Sequence, residues 1–233
     1  MTSLGARVVL LRPEDVPKED SWLAPQEARV LAGLRFPKRR AEWRMGRWTA
    51  KRAVAEFLDV DPGLVSILAA PDGAPEAFVA EDRAPVVISI THRAGLAAVA
   101  VGSPGVPLGC DLETLEERSP GFVRDYFTDS EQAAIASAPP EDAHCVVAVL
   151  WSAKESALKA LRTGLRADTR SVEATTDAGV GACEGGRLIV RQVATGREFI
   201  GWWHRVDGMV ITFLAEAVAD ASFEHRASPA AES

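Results

Sequence analysis

The chain has 233 residues, of which 47% are hydrophobic and 25% charged, and its formal net charge is −7. These values are typical of a soluble globular protein and exclude a mainly disordered chain. The apolar stretches near Leu96–Val101 and Cys145–Trp151 fall far short of the roughly 20 residues that a membrane-spanning helix needs. An acidic chain is also not an obvious phosphate-binding protein, and the local charge distribution tests that expectation.

The amino terminus and the cysteines indicate a cytoplasmic protein. Met1–Leu4 has no basic segment followed by an apolar one, so we expect no secretory signal. Cys110, Cys145 and Cys183 lie far apart and form no CxxC pair. This usage favours a reducing compartment and argues against a structural zinc site.

The hydrophobic pattern predicts strands and helices in the order strand, helix, strands, helices, strands. In the first part of the chain it predicts a helix over Lys38–Leu58 and strands over Arg7–Arg12, Val65–Ala69, Val86–Ile90 and Leu96–Val101, with Leu108–Leu112 extending that sheet. In the second part it predicts helices over Asp129–Ala136 and Glu141–Leu161, strands over Leu188–Gln192, Glu198–Trp203 and Met209–Leu214, and a frayed end at Ser222–Ser233. The segment Trp48–Lys51 also resembles Trp151–Lys154, which is a weak indication of internal duplication.

The predicted helix near residue 45 carries a concentrated positive charge. Between Arg35 and Arg52 the acidic residue is Glu42, and the basic residues are Arg35, Lys38, Arg39, Arg40, Arg44, Arg47, Lys51 and Arg52. A solvated helix face usually mixes both signs, whereas like charges repel each other unless an anion is nearby. Nucleic acid is one candidate anion, but the patch lacks interleaved aromatic residues and the rest of the chain is acidic. A compact anion such as a nucleotide phosphate fits better.

The second long helix places a lysine inside an apolar stripe. Lys154 lies among Val147, Leu150, Trp151 and Leu158, where it needs a counter-charge or must extend to the surface. Glu155 and Lys159 lie at the edge of the stripe, and the ordinary interpretation of this pair is an i,i+4 ion pair on the helix surface. Two lysines and a glutamate at the edge of a core also indicate a site for phosphate and metal.

Asp111 and Glu113 form a second acidic pattern. On a strand they point to the same side, with Cys110 and Leu112 on the other. Two adjacent carboxylates repel each other unless a cation lies between them, and hard oxygen ligands suit Mg²⁺. An exposed acidic strand end is the alternative interpretation. His92, at a predicted strand end, is either a buried histidine bonded to backbone or part of an anion site.

Taken together, these motifs resemble those of the 4′-phosphopantetheinyl transferases. The paired signature has two segments, Gly109–Glu113 and Trp151–Lys159. Glu155 in the second segment follows Asp111 in the first by 44 residues. Further matches are Phe36–Arg40, Gly46-Arg47, Ala50-Lys51, Ile88–His92, Phe127–Glu131 and Gly164-Leu165. Length and the amino-terminal matches favour the surfactin-synthetase-activating type over the half-length, trimeric holo-acyl-carrier-protein synthases.

The resemblance implies an α+β fold of two similar halves related by a pseudo-twofold axis, with coenzyme A in the cleft between them. The expected divisions are residues 1–105, residues 106–222 and a flexible tail over residues 223–233. The implied reaction transfers the phosphopantetheine arm of coenzyme A to a serine of an apo acyl or peptidyl carrier protein and releases adenosine 3′,5′-bisphosphate. The carriers of fatty-acid, polyketide, nonribosomal-peptide and siderophore synthesis all remain open. The resemblance also implies a monomer that binds neither nucleic acid nor membrane.

The resemblance also assigns roles to individual residues. Asp111, Glu113 and Glu155 would hold Mg²⁺, with Glu131 supporting them, and the catalytic residues would be Glu155 as general base, Lys159 and Asp111. The residues assigned to coenzyme A are Arg39, Arg47, Lys51, Thr91, His92, Lys154 and Lys159. The family often has a lysine in a turn that here reads Asp72-Gly73-Ala74-Pro75, and Arg83 or Arg93 is expected to replace it. The alternative function is a non-catalytic regulator that binds coenzyme A or acyl-coenzyme A.

Overall fold

The computed structural model describes residues 5–176 and 184–217. The helices are α1 (Pro25–Gly33), α2 (Pro37–Leu58), α3 (Pro120–Tyr126), α4 (Asp129–Ser137) and α5 (Ala143–Ala160). The strands are β1 (Arg7–Leu11), β2 (Val65–Ala69), β3 (Pro75–Val79), β4 (Asp82–Arg83), β5 (Val87–Arg93), β6 (Leu96–Gly102), β7 (Leu108–Thr114), β8 (Val172–Thr176), β9 (Gly185–Gln192), β10 (Glu198–Val206) and β11 (Met209–Glu216). This mixture of helix and sheet confirms the predicted α+β class. Cys183 and the expected tail over residues 223–233 lie outside the described residues.

Three antiparallel sheets carry the fold. The first has the order β1-β6-β5, the second β2-β3-β4, and the third β7-β11-β10-β9-β8. The buried face of β6, with Leu96, Ala98 and Ala100, packs against β7 and β11 residues such as Leu112 and Phe213. Among the described helices, none is long and apolar enough to cross a membrane.

Helix α2 packs against the first sheet. Ala50, Ala53 and Val54 are buried with Val99 and Val101 of β6. Gly46 faces β5, since a Cβ there would lie 3.4 Å from Ile90 and 3.7 Å from the His92 ring, which is ordinary van der Waals contact. The basic helix therefore lies beside the strand that carries His92.

Strand β7 does not extend the first sheet, so that part of the prediction is wrong. It pairs with β11 in the third sheet. Its contact with β5 is made through hydroxyl groups: Ser89 Oγ accepts from the Cys110 amide at 3.1 Å, and Thr91 Oγ1 accepts from the Leu112 amide at 3.2 Å. Side chains thus satisfy amides that a backbone ladder would otherwise use.

Helix α5 packs closely on β7. A Cβ at Gly109 would lie 1.9 Å from the Ser156 carbonyl oxygen, so a glycine is needed for this approach. Ser152 and Ser156 also share hydrogen bonds with the buried Thr212 hydroxyl of β11, at 2.9 Å and 2.7 Å. The close packing brings one face of α5 directly over the acidic side of β7.

Lys51 and Lys154 occupy matching places in the two parts of the chain. Lys51 Nζ lies 2.9 Å from Glu27 Oε2 and donates to the Val65 carbonyl at 2.5 Å. Lys154 Nζ lies 2.6 Å from Glu131 Oε2 and donates to the Val172 carbonyl at 2.7 Å. Each lysine therefore joins a long helix to the first residue of a strand that follows it.

The two glutamates repeat the same arrangement. Glu27 Oε1 accepts from the Ile67 amide at 2.9 Å, and Glu131 Oε1 accepts from the Ala174 amide at 2.7 Å, in each case two residues beyond the carbonyl that the lysine binds. All four side chains are at most 1% exposed. Each glutamate also accepts from the backbone amide before its own helix, that of Ala24 or Thr128. These contacts match the sequence echo around the two lysines.

Candidate active site

Asp111 is the most completely hydrogen-bonded of the three carboxylates that were predicted to form the site. It lies on β7 and faces α5, as strand alternation predicts. Its Oδ1 accepts from Thr91 Oγ1 at 3.1 Å and from Lys159 Nζ at 2.7 Å, while its Oδ2 accepts from Ser152 Oγ at 3.0 Å. Donors from β5 and α5 thus fix the buried carboxylate in one orientation.

Glu113 lies two residues further along β7 and binds a cluster of donors. Its Oε1 accepts from the Trp151 indole at 3.2 Å, and its Oε2 lies 3.1 Å from Arg118 and 3.3 Å from Arg93. Both arginines also pair with Glu116. The pKa of Glu113 is raised, mainly by burial and then by the nearby Asp111, despite these arginines. Arg93 therefore lies at the carboxylates and not at the Asp72 turn.

Glu155 of α5 is partly buried and forms no hydrogen bond or ion pair with the residues that the structure describes. Its pKa is raised from 4.5 to about 7, first by desolvation and then by the negative charge of Asp111 and Glu113. A carboxyl group with a pKa near neutrality can accept a proton at physiological pH and release it again. From the sequence alone, Glu155 is predicted to lie at the edge of the apolar stripe of this helix.

Lys159 connects Asp111 to a cavity of about 450 Å³. Its ammonium group donates to the Cys110 carbonyl at 3.1 Å as well as to Asp111, and the same side chain lines the cavity. Burial is the largest influence and opposes the charged form, but the charge and hydrogen bond of Asp111 together with nearby groups such as Glu155 outweigh it, and the pKa of Lys159 is raised. Lys159 therefore remains a cation beside both the acidic cluster and the cavity.

Thr91 and His92, which the resemblance assigns to coenzyme A, point to opposite sides of β5. Thr91 is buried and uses its hydroxyl on Asp111 and the Leu112 amide, so it positions Asp111 and has no free hydroxyl for a ligand. His92 is exposed beside Gly46 of α2. The pKa of His92 is lowered, mainly by desolvation, so it is largely neutral at pH 7.

Only part of the positive charge of α2 is available to a ligand. Arg40 donates to the Leu31 and Leu34 carbonyls, and Arg44 pairs with Asp20 at 2.7 Å. Arg39 is exposed. Arg47 is partly buried, stacks 5.0 Å from the Trp43 ring centroid, and has a lowered pKa because of its desolvation. Its buried Nε has no hydrogen-bond partner within the described part of the chain.

Lys51, Lys154 and Glu131 are occupied by contacts within the protein. Both lysines are fully buried in the ion pairs described above, and Glu131 accepts from Lys154 and two backbone amides. The assignment of the two lysines to coenzyme A and of Glu131 to the metal stays a prediction, and these contacts give it no support. The ion pair with Glu131 answers the need for a counter-charge that the apolar stripe around Lys154 indicated.

Two neighbouring cavities adjoin these groups. The larger, of about 450 Å³, is lined by residues from both parts of the chain, including Ser89, Lys159 and Arg162. The smaller, of about 240 Å³, is lined by Trp43, Gly46 and Arg47 of α2 and shares Gly73, Pro75 and Ile90 with the larger. The two cavities therefore meet at the turn before β3.

The carboxylates are chemically suited to a divalent cation. Among residues 5–176 and 184–217, no group of three or more histidine, cysteine, aspartate and glutamate side chains is arranged as a metal site. Asp111 and Glu113 instead bind protein donors. Nevertheless, repulsion among these two groups and Glu155 raises the pKa of Glu155, and a cation bound to oxygen ligands would relieve that repulsion.

Sequence reasoning missed the donors that hold the carboxylates in place. Trp151, Ser152 and Arg118 all bind Asp111 or Glu113. Trp151 and Ser152 lie one and two residues beyond Leu150, so helix geometry could have placed them over β7. Arg118 follows the strand through a loop, and no periodic signal marks it.

A comparison with protein families finds a match over part of the chain. Residues 107–206 match the model of the 4′-phosphopantetheinyl transferase superfamily. The matched segment contains Asp111, Glu113, Glu155 and Lys159, and it ends within β10. Basic helix α2 and His92 lie outside it.

A particular relative extends the similarity. The 4′-phosphopantetheinyl transferase HetI of Nostoc sp. (strain PCC 7120 / SAG 25.82 / UTEX 2576) is 26% identical to this chain over 173 residues, which cover 71% of this chain and 73% of that protein. Together, the family match and this relative support a 4′-phosphopantetheinyl transferase.

Proposed function

We propose that this protein transfers the 4′-phosphopantetheine arm of coenzyme A to a serine of an apo acyl or peptidyl carrier protein and releases adenosine 3′,5′-bisphosphate. The observation that carries the proposal is Glu155. It is a partly buried carboxyl group with a pKa of about 7, adjacent to Asp111 and Glu113 and free of protein partners among the described residues. A structural carboxylate in such a place would normally be paired.

The chemistry required of the protein is positioning and charge control. The serine Oγ would form a bond to the phosphorus that carries the pantetheine arm, and the bond from that phosphorus to the adenosine bisphosphate oxygen would break. Glu155 would take the serine proton, because it forms no hydrogen bond or ion pair with the residues that the structure describes. Lys159 would bind the pyrophosphate oxygens from the cavity wall, where its charge offsets the developing negative charge.

The carboxylates would hold Mg²⁺ during this reaction. When bound, the cation would supply neutralisation of the pyrophosphate charge, and Asp111, Glu113 and Glu155 are the residues that would bind it. Thr91 and Ser152 hold the Asp111 carboxylate in one orientation. In this proposal Thr91 is a positioning residue and does not contact coenzyme A.

The adenosine bisphosphate end of coenzyme A would lie in the smaller cavity. Arg47 lines it with an unsatisfied buried Nε, which a phosphate oxygen could satisfy. Residues of α2 and β5 line the smaller cavity. The exposed Arg39 lies on α2 and His92 lies on β5, and both side chains would add donors to the bisphosphate. Continuity with the larger cavity would let the ligand reach Lys159, which binds Asp111.

We further propose that the two parts of the chain, divided near residue 105, are related by a pseudo-twofold axis. The matching contacts of Lys51 with Glu27 and of Lys154 with Glu131 support this relation. A duplicated chain with a ligand between its halves is the surfactin-synthetase-activating type, which would act as a monomer. Cys110 and Cys145 are free and buried, which supports a reducing, cytoplasmic setting.

The test is transfer to a panel of apo carrier proteins with coenzyme A and Mg²⁺, measured by intact-protein mass. We expect one or more carriers to gain the mass of phosphopantetheine, and the gain to disappear when EDTA replaces Mg²⁺. The non-catalytic regulator predicts coenzyme A binding, seen as a higher melting temperature, with no mass gain on any carrier. That outcome would overturn the transferase proposal.

A further inference from the structure

The larger cavity carries charges that the proposed reaction does not use. Its lining includes Arg83, Arg162 and Arg166 together with Asp72 and Glu76. Arg162 and Arg166 follow α5, whereas Asp72 lies in the turn before β3 and Glu76 lies within β3. Contacts among them therefore join the two parts of the chain beside the cavity.

Arg162 binds both acidic residues. Its guanidinium approaches Asp72 with two nitrogens, Nε at 2.7 Å and Nη2 at 3.0 Å, and Nη2 lies 3.2 Å from Glu76 Oε1. The residue has a φ of 58°, a left-handed conformation that favours glycine, and its side chain is nevertheless an arginine. The pKa of Asp72 is lowered to about 2, mainly by the hydrogen bonds from Arg162, so Asp72 carries a negative charge that Arg162 offsets.

Arg166 is held differently. It donates from Nη1 to the Asp72 carbonyl and from Nη2 to the Arg162 carbonyl, both at 2.9 Å. With the described carboxylates it forms no ion pair. Arg83 pairs with Glu76 at 2.7 Å, so three arginines at this wall face two carboxylates. The unbalanced charge resides on Arg166, and neutral carbonyls from both parts of the chain fix its position.

A purely structural role explains the ion pairs but not Arg166. Exposed ion pairs contribute little to stability, and a guanidinium that only joined the two parts would be expected to pair with a carboxylate. Apolar residues such as Pro75, Val86 and Ile88 also line the cavity. A cavity that combines apolar walls with a fixed guanidinium that has no carboxylate partner suits a ligand that has a ring or alkyl body and a phosphate group.

We propose that Arg166 binds a phosphate group of the ligand in this cavity, and that Arg162 permits this by neutralising Asp72 and Glu76. The identity of the ligand as coenzyme A rests on the proposed function, while the anion site rests on the contacts above. Arg166 then supplies the positive charge that the turn Asp72–Pro75 lacks. Arg162 acts through the carboxylates and is a positioning residue.

The experiment measures the dissociation constants of coenzyme A and adenosine 3′,5′-bisphosphate by titration calorimetry on the full chain. Arg166→Ala is expected to weaken binding of at least one of them by about tenfold, the scale of a lost charged hydrogen bond. The matched control is Arg170→Ala, an exposed arginine four residues on that does not line the cavity. Equal constants for these two variants would overturn the proposal.

A second pair of variants separates charge neutralisation from structural joining. Arg162→Ala is expected to weaken binding several-fold, because it leaves Asp72 unpaired and Glu76 with Arg83 alone beside the ligand. Asp72→Asn is expected to strengthen binding several-fold, because it removes one of those charges, and the double variant is expected to lie between the two. If Asp72→Asn weakened binding as Arg162→Ala does, the contact between Arg162 and Asp72 would serve only to join the two parts of the chain, and the inference would fail. Should Arg162→Ala not fold, the direction of the Asp72→Asn change decides.

The two proposals fail in different ways. A wild-type protein that binds both ligands through Arg166 but modifies no carrier would overturn the transferase proposal and support this inference. A wild-type protein that modifies carriers while Arg166→Ala binds coenzyme A normally would overturn this inference alone.

Discussion

Replacing Lys154 by methionine is expected to destabilise the fold strongly without impairing the binding of coenzyme A by the folded protein. Lys154 and Glu131 are at most 1% exposed and lie 2.6 Å apart. Removing one partner of a buried ion pair generally costs about 3–5 kcal/mol, because the other charge is left uncompensated. Glu131 keeps the amides of Thr128 and Ala174, which places the loss at the lower end of that range, while the Val172 carbonyl loses its donor and adds about 1 kcal/mol. We therefore expect a loss of about 4 kcal/mol.

Urea unfolding followed by tryptophan fluorescence measures this loss. The midpoint should fall while the dependence on urea concentration stays the same, since the folded surface is unchanged. Lys51→Met is the matched variant, because Lys51 forms the equivalent pair with Glu27, and it should show a loss of similar size. A Lys154→Met protein of wild-type stability with weakened coenzyme A binding would refute the structural role and restore the lysine to the ligand site.

Two further predictions concern Glu155 and Gly109. In EDTA, the folded pKa of Glu155, about 7, exceeds its ordinary value of 4.5, so the folded state retains a proton that the unfolded state releases between these values. Stability should therefore fall as the pH rises from about 4.5 to 7 by at most about 3 kcal/mol, and Glu155→Gln should flatten this fall, gaining stability at pH 8 with little change at pH 5. An unchanged profile in thermal melts of that variant would contradict the assigned environment. Gly109→Ala would bring a Cβ to 1.9 Å from the Ser156 carbonyl oxygen, so it should prevent folding or lower the melting temperature by well over 10 °C. The control is Gly105→Ala, whose Cβ would meet no atom within 4 Å. Its effect on the melting temperature should be milder, although the φ of Gly105 is 89°.

Local patterns account for much of the framework. Helix α2 begins at Pro37 and ends at Leu58, within one residue of the prediction at its start, and β2 agrees at both ends. Long amphipathic helices and β-branched strands carry strong periodic signals. Helices α1 and α3 were missed, although Pro25 and Ser119-Pro120 are recognisable helix-start residues. Short helices have too few turns for periodicity to identify them.

The sequence predicts the orientation of the carboxylates at the candidate site better than the positions of the basic side chains. Asp111 and Glu113 share a strand face because alternation requires it, and the contacts of Asp111 and Glu113 with α5 confirm that orientation. The resemblance assigns both Lys154 and Lys159 to coenzyme A, yet Lys154 is buried against Glu131 and Lys159 lines the cavity. The partner of Lys154 lies 23 residues away along the chain. Only tertiary structure reveals such a pairing, and the same holds for Arg162 and Asp72.

The most direct test of the central claim compares wild-type protein with Glu155→Gln in single-turnover transfer to an apo carrier, followed by intact mass, alongside coenzyme A affinity. Glutamine keeps the size of the side chain and removes its ability to take a proton. The proposed role predicts transfer slower by about 10²–10⁴-fold, the usual contribution of a general base, with the dissociation constant of coenzyme A changed only a few-fold. Transfer by Glu155→Gln at the wild-type rate would contradict it.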